Sequence, residues 1–168
     1  MKIKNNNKGI TILELMIIAV IVGITTTLAM PQFERGMEKL KLKGAGRDVI
    51  SSLRLARSDA VSQRQQFGVY FNLNSNQYVL FKDKFNPGSF TYEAGGDSAM
   101  VTETLPGHIN FGSTSFPNFV VIFKPDGSAS NSGSVELYSS EEGYSSFVVD
   151  VLSSTGRVKL LLGDAGVD

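Results

Sequence analysis

ITILELMIIAVIVGITTTLAM, from Ile10 to Met30, is 21 residues long and carries one charge, Glu14. At about 1.5 Å per residue it forms a helix about 30 Å long, the thickness of a bilayer core. No comparable second segment follows, and Lys2, Lys4 and Lys8 precede it without an acid. That asymmetry predicts a single pass, with the N-terminus in the cytoplasm and the remainder outside. Pro31 comes next and is expected to end or kink the helix, because it lacks an N–H and crowds the preceding turn. Three readings of the run compete. A cleaved secretory signal has an apolar region of about 7–15 residues, so this run is too long for one and also contains a carboxylate. A plain anchor leaves Glu14 without purpose. The third reading makes Glu14 functional, since a carboxylate at the centre of a bilayer costs about 2.5–3.5 kcal/mol and usually marks a role.

Lys8-Gly9 stands directly before Ile10, and Glu14 is the fifth residue counted from Ile10. This arrangement resembles the class III leader of type IV pilins and their relatives. In that family a membrane-embedded prepilin peptidase cleaves after the glycine and methylates the new terminal amine. The resemblance implies cleavage between Gly9 and Ile10, a methylated Ile10, an assembly role for Glu14, and a family proline in Pro31. One departure is Ile10 itself, where family members usually carry Phe. A cationic amine at Ile10 and the Glu14 carboxylate of an adjacent subunit would then meet in apolar surroundings. A mismatched register would strand both charges, at a cost on the order of several kcal/mol per ion, so the pair is expected to set the axial step.

Beyond Pro31 the period becomes helical. Leu42, Ala45, Val49, Leu53, Ala56 and Ala60 recur at spacings of three and four, and Ile50 and Val61 widen that face. Lys39, Lys43, Arg47, Arg54, Arg57 and Arg64 surround it. They read as solvated charges that are also able to meet acidic heads of neighbouring subunits. Gly44-Ala45-Gly46 is a weak point, at about 1 kcal/mol per glycine relative to alanine. Leu55-Ala56-Arg57 followed by Ser58-Asp59-Ala60 resembles the end of the long helix in the GspH/FimT branch of minor pseudopilins and minor pilins.

From Phe67 onward the pattern is that of strands. Residues 67–73 and 77–82 flank a turn-prone Asn74-Ser75-Asn76 and read as a hairpin. Residues 86–100, with Pro87, Gly88, Gly95 and Gly96, read as a long loop or a weak excursion. Further strands are expected at 119–123, 134–138, 147–152 and 157–162, with turns at Pro125-Asp126-Gly127 and Ser153–Gly156. One long helix followed by short strands predicts an α+β fold, an antiparallel sheet head packed on the stem. The order of elements, Phe123-Lys124-Pro125-Asp126-Gly127 and Thr155-Gly156-Arg157-Val158 resemble the GspH/FimT head; residues 84–118 do not. The expected divisions are a leader at 1–9, a transmembrane and assembly helix at 10–30, a stem helix at 31–66 and a head at 67–168.

Composition excludes several chemistries. The chain has no cysteine, hence no disulfide or thiolate site, and one histidine, His108. Nucleophile-elbow and phosphate-loop motifs are absent, so neither an enzyme nor a cofactor is expected. Asp126 reads as a turn residue and Glu141-Glu142 as a solvated loop or weak cation site. Residues 65–168 hold five Lys/Arg against eleven Asp/Glu, a poor surface for phosphates. Arg157 and Lys159 share one strand face; they are the candidate nucleic-acid contacts, weighed against edge charges that keep a strand soluble. The expected role is a minor pilin or pseudopilin of a type II secretion pseudopilus or type IV pilus. It would sit in the bacterial inner membrane with its head in the periplasm. Its partners would be the peptidase, other pilin subunits and the membrane. Alternatives are a DNA- or substrate-binding minor pilin, or a major pilin.

Overall fold

The computed structural model describes residues 9–140 and 146–163. Its contacts divide into two compact units, with the boundary between Met37 and Glu38. Helix α1 (Ile12–Gln63) contributes to both.

In the first unit Thr11 starts the helix. The Glu14 N–H donates to Thr11 Oγ1 at 3.2 Å, and the Leu15 N–H donates to the Thr11 carbonyl at 3.2 Å. Thr11-Ile12-Leu13-Glu14 thus has the spacing of a capping box, which satisfies a donor that the first turn leaves orphaned. Farther along, the hydroxyls of Thr25, Thr26 and Thr27 donate back to the carbonyls of Ile21, Val22 and Gly23. Turning these hydroxyls onto the backbone keeps the surface apolar although three threonines lie in it. Of the two effects expected of Pro31, ending the helix is ruled out: α1 continues through it to Gln63. A proline removes one N–H from the ladder, but long apolar helices accommodate that loss by local adjustment. The chain leaves α1 only where Arg64 takes a left-handed φ of 53°.

The second unit carries the core. Strands β1 (Phe67–Asn72), β2 (Gln77–Lys82), β3 (Ser98–Thr104) and β5 (Val120–Phe123) form one antiparallel sheet in the order β3-β2-β1-β5. Strands β4 (Ile109–Thr114), β6 (Gly133–Ser139), β7 (Ser146–Leu152) and β8 (Arg157–Leu162) form a second, in the order β4-β6-β7-β8. The α+β class, the antiparallel head and the hairpins stand as expected; the head's strands divide into two sheets, and β3 and β4 lie where the sequence pattern predicts no strand. One face of each sheet meets the stem: Leu42, Val49, Leu53, Ala56 and Ala60 join Phe67, Phe71, Leu137, Val149 and Val151 in one buried cluster. Ile50 is buried as expected, but Val61 is 49% exposed and falls outside the core stripe.

Residues 83–97 cover the other face of the first sheet. Tyr92 stacks on Tyr70 at 5.0 Å and meets Phe81 at 4.8 Å between ring centroids, and Phe90 packs against the cluster of Phe81, Val120 and Ile122. The Asp97 carboxylate ties this excursion together by accepting the N–H groups of Lys84, Phe85 and Glu93 at 2.9–3.0 Å. Nearby Asp83 is 5% exposed and its Oδ1 has no partner, while the Gln66 amide nitrogen reaches Oδ2 at 3.2 Å. Burial, then the charges of Asp97 and Glu93, push the Asp83 carboxyl up to about 6.

Candidate assembly surfaces

Two regions hold the residues singled out in the sequence. The first is the helix start. Gly9 and Ile10 are exposed and precede the helix; Glu14 is exposed in its first turn. A carboxylate there complements the partial positive charge of the helix N-terminus. The flanking side chains are uncovered along the whole run, from Ile18 at 48% to Ile12 at 80% exposed. An apolar surface of this extent calls for lipid or other protein around it. The Thr11 cap has a sequence signal of its own, the Thr-x-x-Glu spacing of Thr11 and Glu14.

The second region joins three separated pieces of sequence. Arg57 on α1 donates from Nε to the Gly127 carbonyl at 2.9 Å. Gly127, in the turn after β5, has a φ of +81°, and Gly156, in the turn before β8, has a φ of +61°. A Cβ added at Gly156 would collide with the Gly127 carbonyl oxygen and lie 2.9 Å from Arg57 Nε. Leu55-Ala56-Arg57, the Pro125-Asp126-Gly127 turn and Thr155-Gly156 therefore meet at one junction. Asp126 is the turn residue expected: its Oδ1 accepts the Ser128 N–H at 2.8 Å and the Ser128 hydroxyl at 2.6 Å. These hydrogen bonds hold its carboxyl below the usual range.

Other candidates are scattered. Arg157 and Lys159 are exposed on β8, an edge strand, on the face opposite buried Val158. Asp150 stands opposite Lys159 in the register, so the two cations do not form an unopposed patch. His108 is exposed, with a φ of 73°, and its carbonyl accepts the N–H and hydroxyl of Ser140 at 2.8 and 3.2 Å. Among the described residues, no three His, Asp or Glu side chains come together as metal ligands. Glu141 and Glu142 lie outside the described residues.

Residues 45–156 match the family model described as Type II transport protein GspH. No curated protein matches the chain. Among solved structures, the minor pseudopilin EpsH from the Type 2 Secretion System of Vibrio cholerae shares the fold. Its TM-score is 0.58 at 14% identity, over 73% of this chain and 97% of that one. The Pseudomonas aeruginosa type IV minor pilin FimU gives a TM-score of 0.59 at 14% identity, over 76% and 96% of the two chains.

Proposed function

The chain belongs to the GspH family of type II transport proteins, and from that premise we propose that it is a minor pseudopilin or minor pilin. Prepilin peptidase cuts it between Gly9 and Ile10. It is then held in the inner membrane by α1 and drawn into a filament through that helix. The observation that carries this reading is the apolar, uncovered run of Ile12–Met30 in a chain whose head matches the family. Before assembly lipid covers that run; in a filament the helices of adjacent subunits replace the lipid. Lipid and neighbouring helices are about equally apolar, so burial alone gives little preference for register. Glu14 supplies the preference, because only one axial offset places its carboxylate against the new amine of Ile10 on the next subunit. Pro31 adjusts the helix path at the end of the apolar run. The head is presented outside the membrane as an assembly and recognition surface.

Mass spectrometry of the intact membrane form tests the processing step. The expected polypeptide starts at Ile10 and carries one methyl group. A form that keeps residues 1–9, or starts anywhere beyond Ile10, sinks the reading. Incorporation into filaments is tested separately, by recovering the chain with sheared surface filaments or with an overproduced pseudopilus.

A further inference from the structure

The pairing of β1 with β2 ends at Phe67 and Lys82. One step farther out, the Asp83 N–H donates to the Gln66 carbonyl at 3.0 Å, so these two residues are held opposite each other. Gln66, Asp83 and Pro87 line one cavity of about 430 Å³, together with Arg64 and Lys84. The terminal amide of Gln66 lies 2.9 Å from the Pro87 carbonyl oxygen and 3.2 Å from Asp83 Oδ2. Asp83 is 5% exposed, and its Oδ1 meets no hydrogen-bond donor. A buried carboxylate oxygen left this way is costly until something positive or a donor reaches it. Asp97 and Glu93 add negative charge nearby. Asp97 is not free to serve as a ligand, because its two oxygens accept three backbone N–H groups. Arg64 and Lys84 are exposed, and among the described residues neither forms an ion pair with Asp83.

We propose that the Asp83 carboxylate, the Gln66 amide oxygen and the Pro87 carbonyl bind a divalent cation of the calcium kind, with water completing its shell. With its nitrogen inward, the Gln66 amide donates to Pro87 and Asp83. A half-turn about its last side-chain bond puts the oxygen in the same place, and three oxygens then converge. Oxygens that share a calcium ion at about 2.3–2.6 Å stand about 3 Å apart, which is the separation found here. The donor set is all oxygen, which suits calcium and not the nitrogen- and sulfur-seeking metals. Magnesium demands a near-ideal octahedron and dehydrates reluctantly, whereas these ligands come from a helix exit, a strand end and a loop. One carboxylate and two neutral oxygens make the site, so no trio of acidic or histidine side chains marks it. A cation here fastens Pro87, and with it the cover formed by residues 83–97, to the end of the first sheet. The site is independent of the filament reading above.

The test uses the full-length chain in neutral-detergent micelles, stripped with EDTA. Calcium chloride is titrated in by calorimetry, and urea unfolding is followed with and without it. Extracellular calcium sites have Kd values of about 0.1–1 mM, so about 10 mM calcium should favour the folded state about tenfold or more and raise the urea midpoint. Magnesium chloride at the same concentration should raise it less, and sodium chloride of equal ionic strength should not raise it. Asp83→Asn should fold, because it removes a buried unpaired charge, and should lose both the calcium heat and the shift. Gln66→Leu should weaken calcium binding about tenfold while its unfolding in EDTA stays cooperative. Absence of heat and shift in the wild type overturns the proposal and leaves Asp83 to be balanced by a proton or water. An undiminished response in Asp83→Asn overturns it by placing calcium elsewhere, and wild-type affinity in Gln66→Leu overturns the ligand set. An equal effect of sodium chloride overturns it too, since charge screening would then explain the shift.

Discussion

Arg57 and Gly127, 70 residues apart in sequence, are joined by a 2.9 Å hydrogen bond from the guanidinium Nε to the backbone carbonyl. The bond fastens the stem helix to the turn after β5, and Gly156 closes over the same carbonyl from the turn before β8. Gly156→Ala should therefore destabilise the head twice over. It places a Cβ against the Gly127 oxygen and at a φ of +61°, and backbone strain of that kind costs about 1–3 kcal/mol. Arg57→Ala should cost about 1 kcal/mol from the lost bond. Urea unfolding of the full chain in detergent checks both, and an unchanged midpoint for Gly156→Ala would refute the junction.

The two glycines of the stem are not equivalent. An added Cβ at Gly44 meets nothing within 4 Å, whereas at Gly46 it would sit 3.0 Å from Leu160 Cδ1. Gly44→Ala should stabilise the helix by about 0.5–1 kcal/mol. Gly46→Leu should be destabilising, because it displaces Leu160 of β8 from the stem. Thermal melts of the two variants should move in opposite directions.

Stability should rise on mild acidification. The folded-state pKa of Asp83, about 6, lies above the ordinary value of 3.8, so folding binds a proton that the unfolded chain releases. Below about pH 4 both states are protonated; as pH rises through 6 the folded state must ionise Asp83 beside Asp97 and Glu93, and stability falls. Asp83→Asn should flatten this dependence and raise the unfolding midpoint at pH 7.5. The comparison is urea melts at pH 5 and 7.5 for both proteins.

The Glu14 N–H is capped by Thr11, and the proposed filament contact uses its carboxylate, so the two roles are separable. Thr11→Ala removes only the cap, worth about 1 kcal/mol, and should leave incorporation into filaments intact. Glu14→Leu and Glu14→Gln keep the N–H but lose the charge, and both should remain in the membrane and fail to incorporate. Immunoblots of membrane and sheared-filament fractions distinguish the outcomes. Loss of incorporation in Thr11→Ala alone would mean the cap matters more than the charge.

Much of this protein was legible along the chain because the signals are local. The apolar run needs only consecutive residues, and the core stripe from Leu42 to Ala60 follows from the helical period. The hairpin β1–β2 and the turns at Asp126 and Ser153–Gly156 carry their own turn chemistry. At Pro31 the sequence left two outcomes open, an end or a kink, and the helix on both sides removes the first.

Tertiary structure alone decided the rest. Strand β3 is exposed along nearly its whole length and so has no alternation to read; its identity comes from hydrogen bonds to β2. Division of the eight described strands into two sheets depends on which edges pair, and residues 83–97 become a cover where Asp97 gathers three backbone N–H groups and Phe90 and Tyr92 pack on the sheet. The partner of Arg57 lay equally out of sight, since a guanidinium on a helix looks solvated until a distant carbonyl is folded against it. Periodicity reports which face of an element is apolar. What that face meets is set by contacts between residues far apart in the chain.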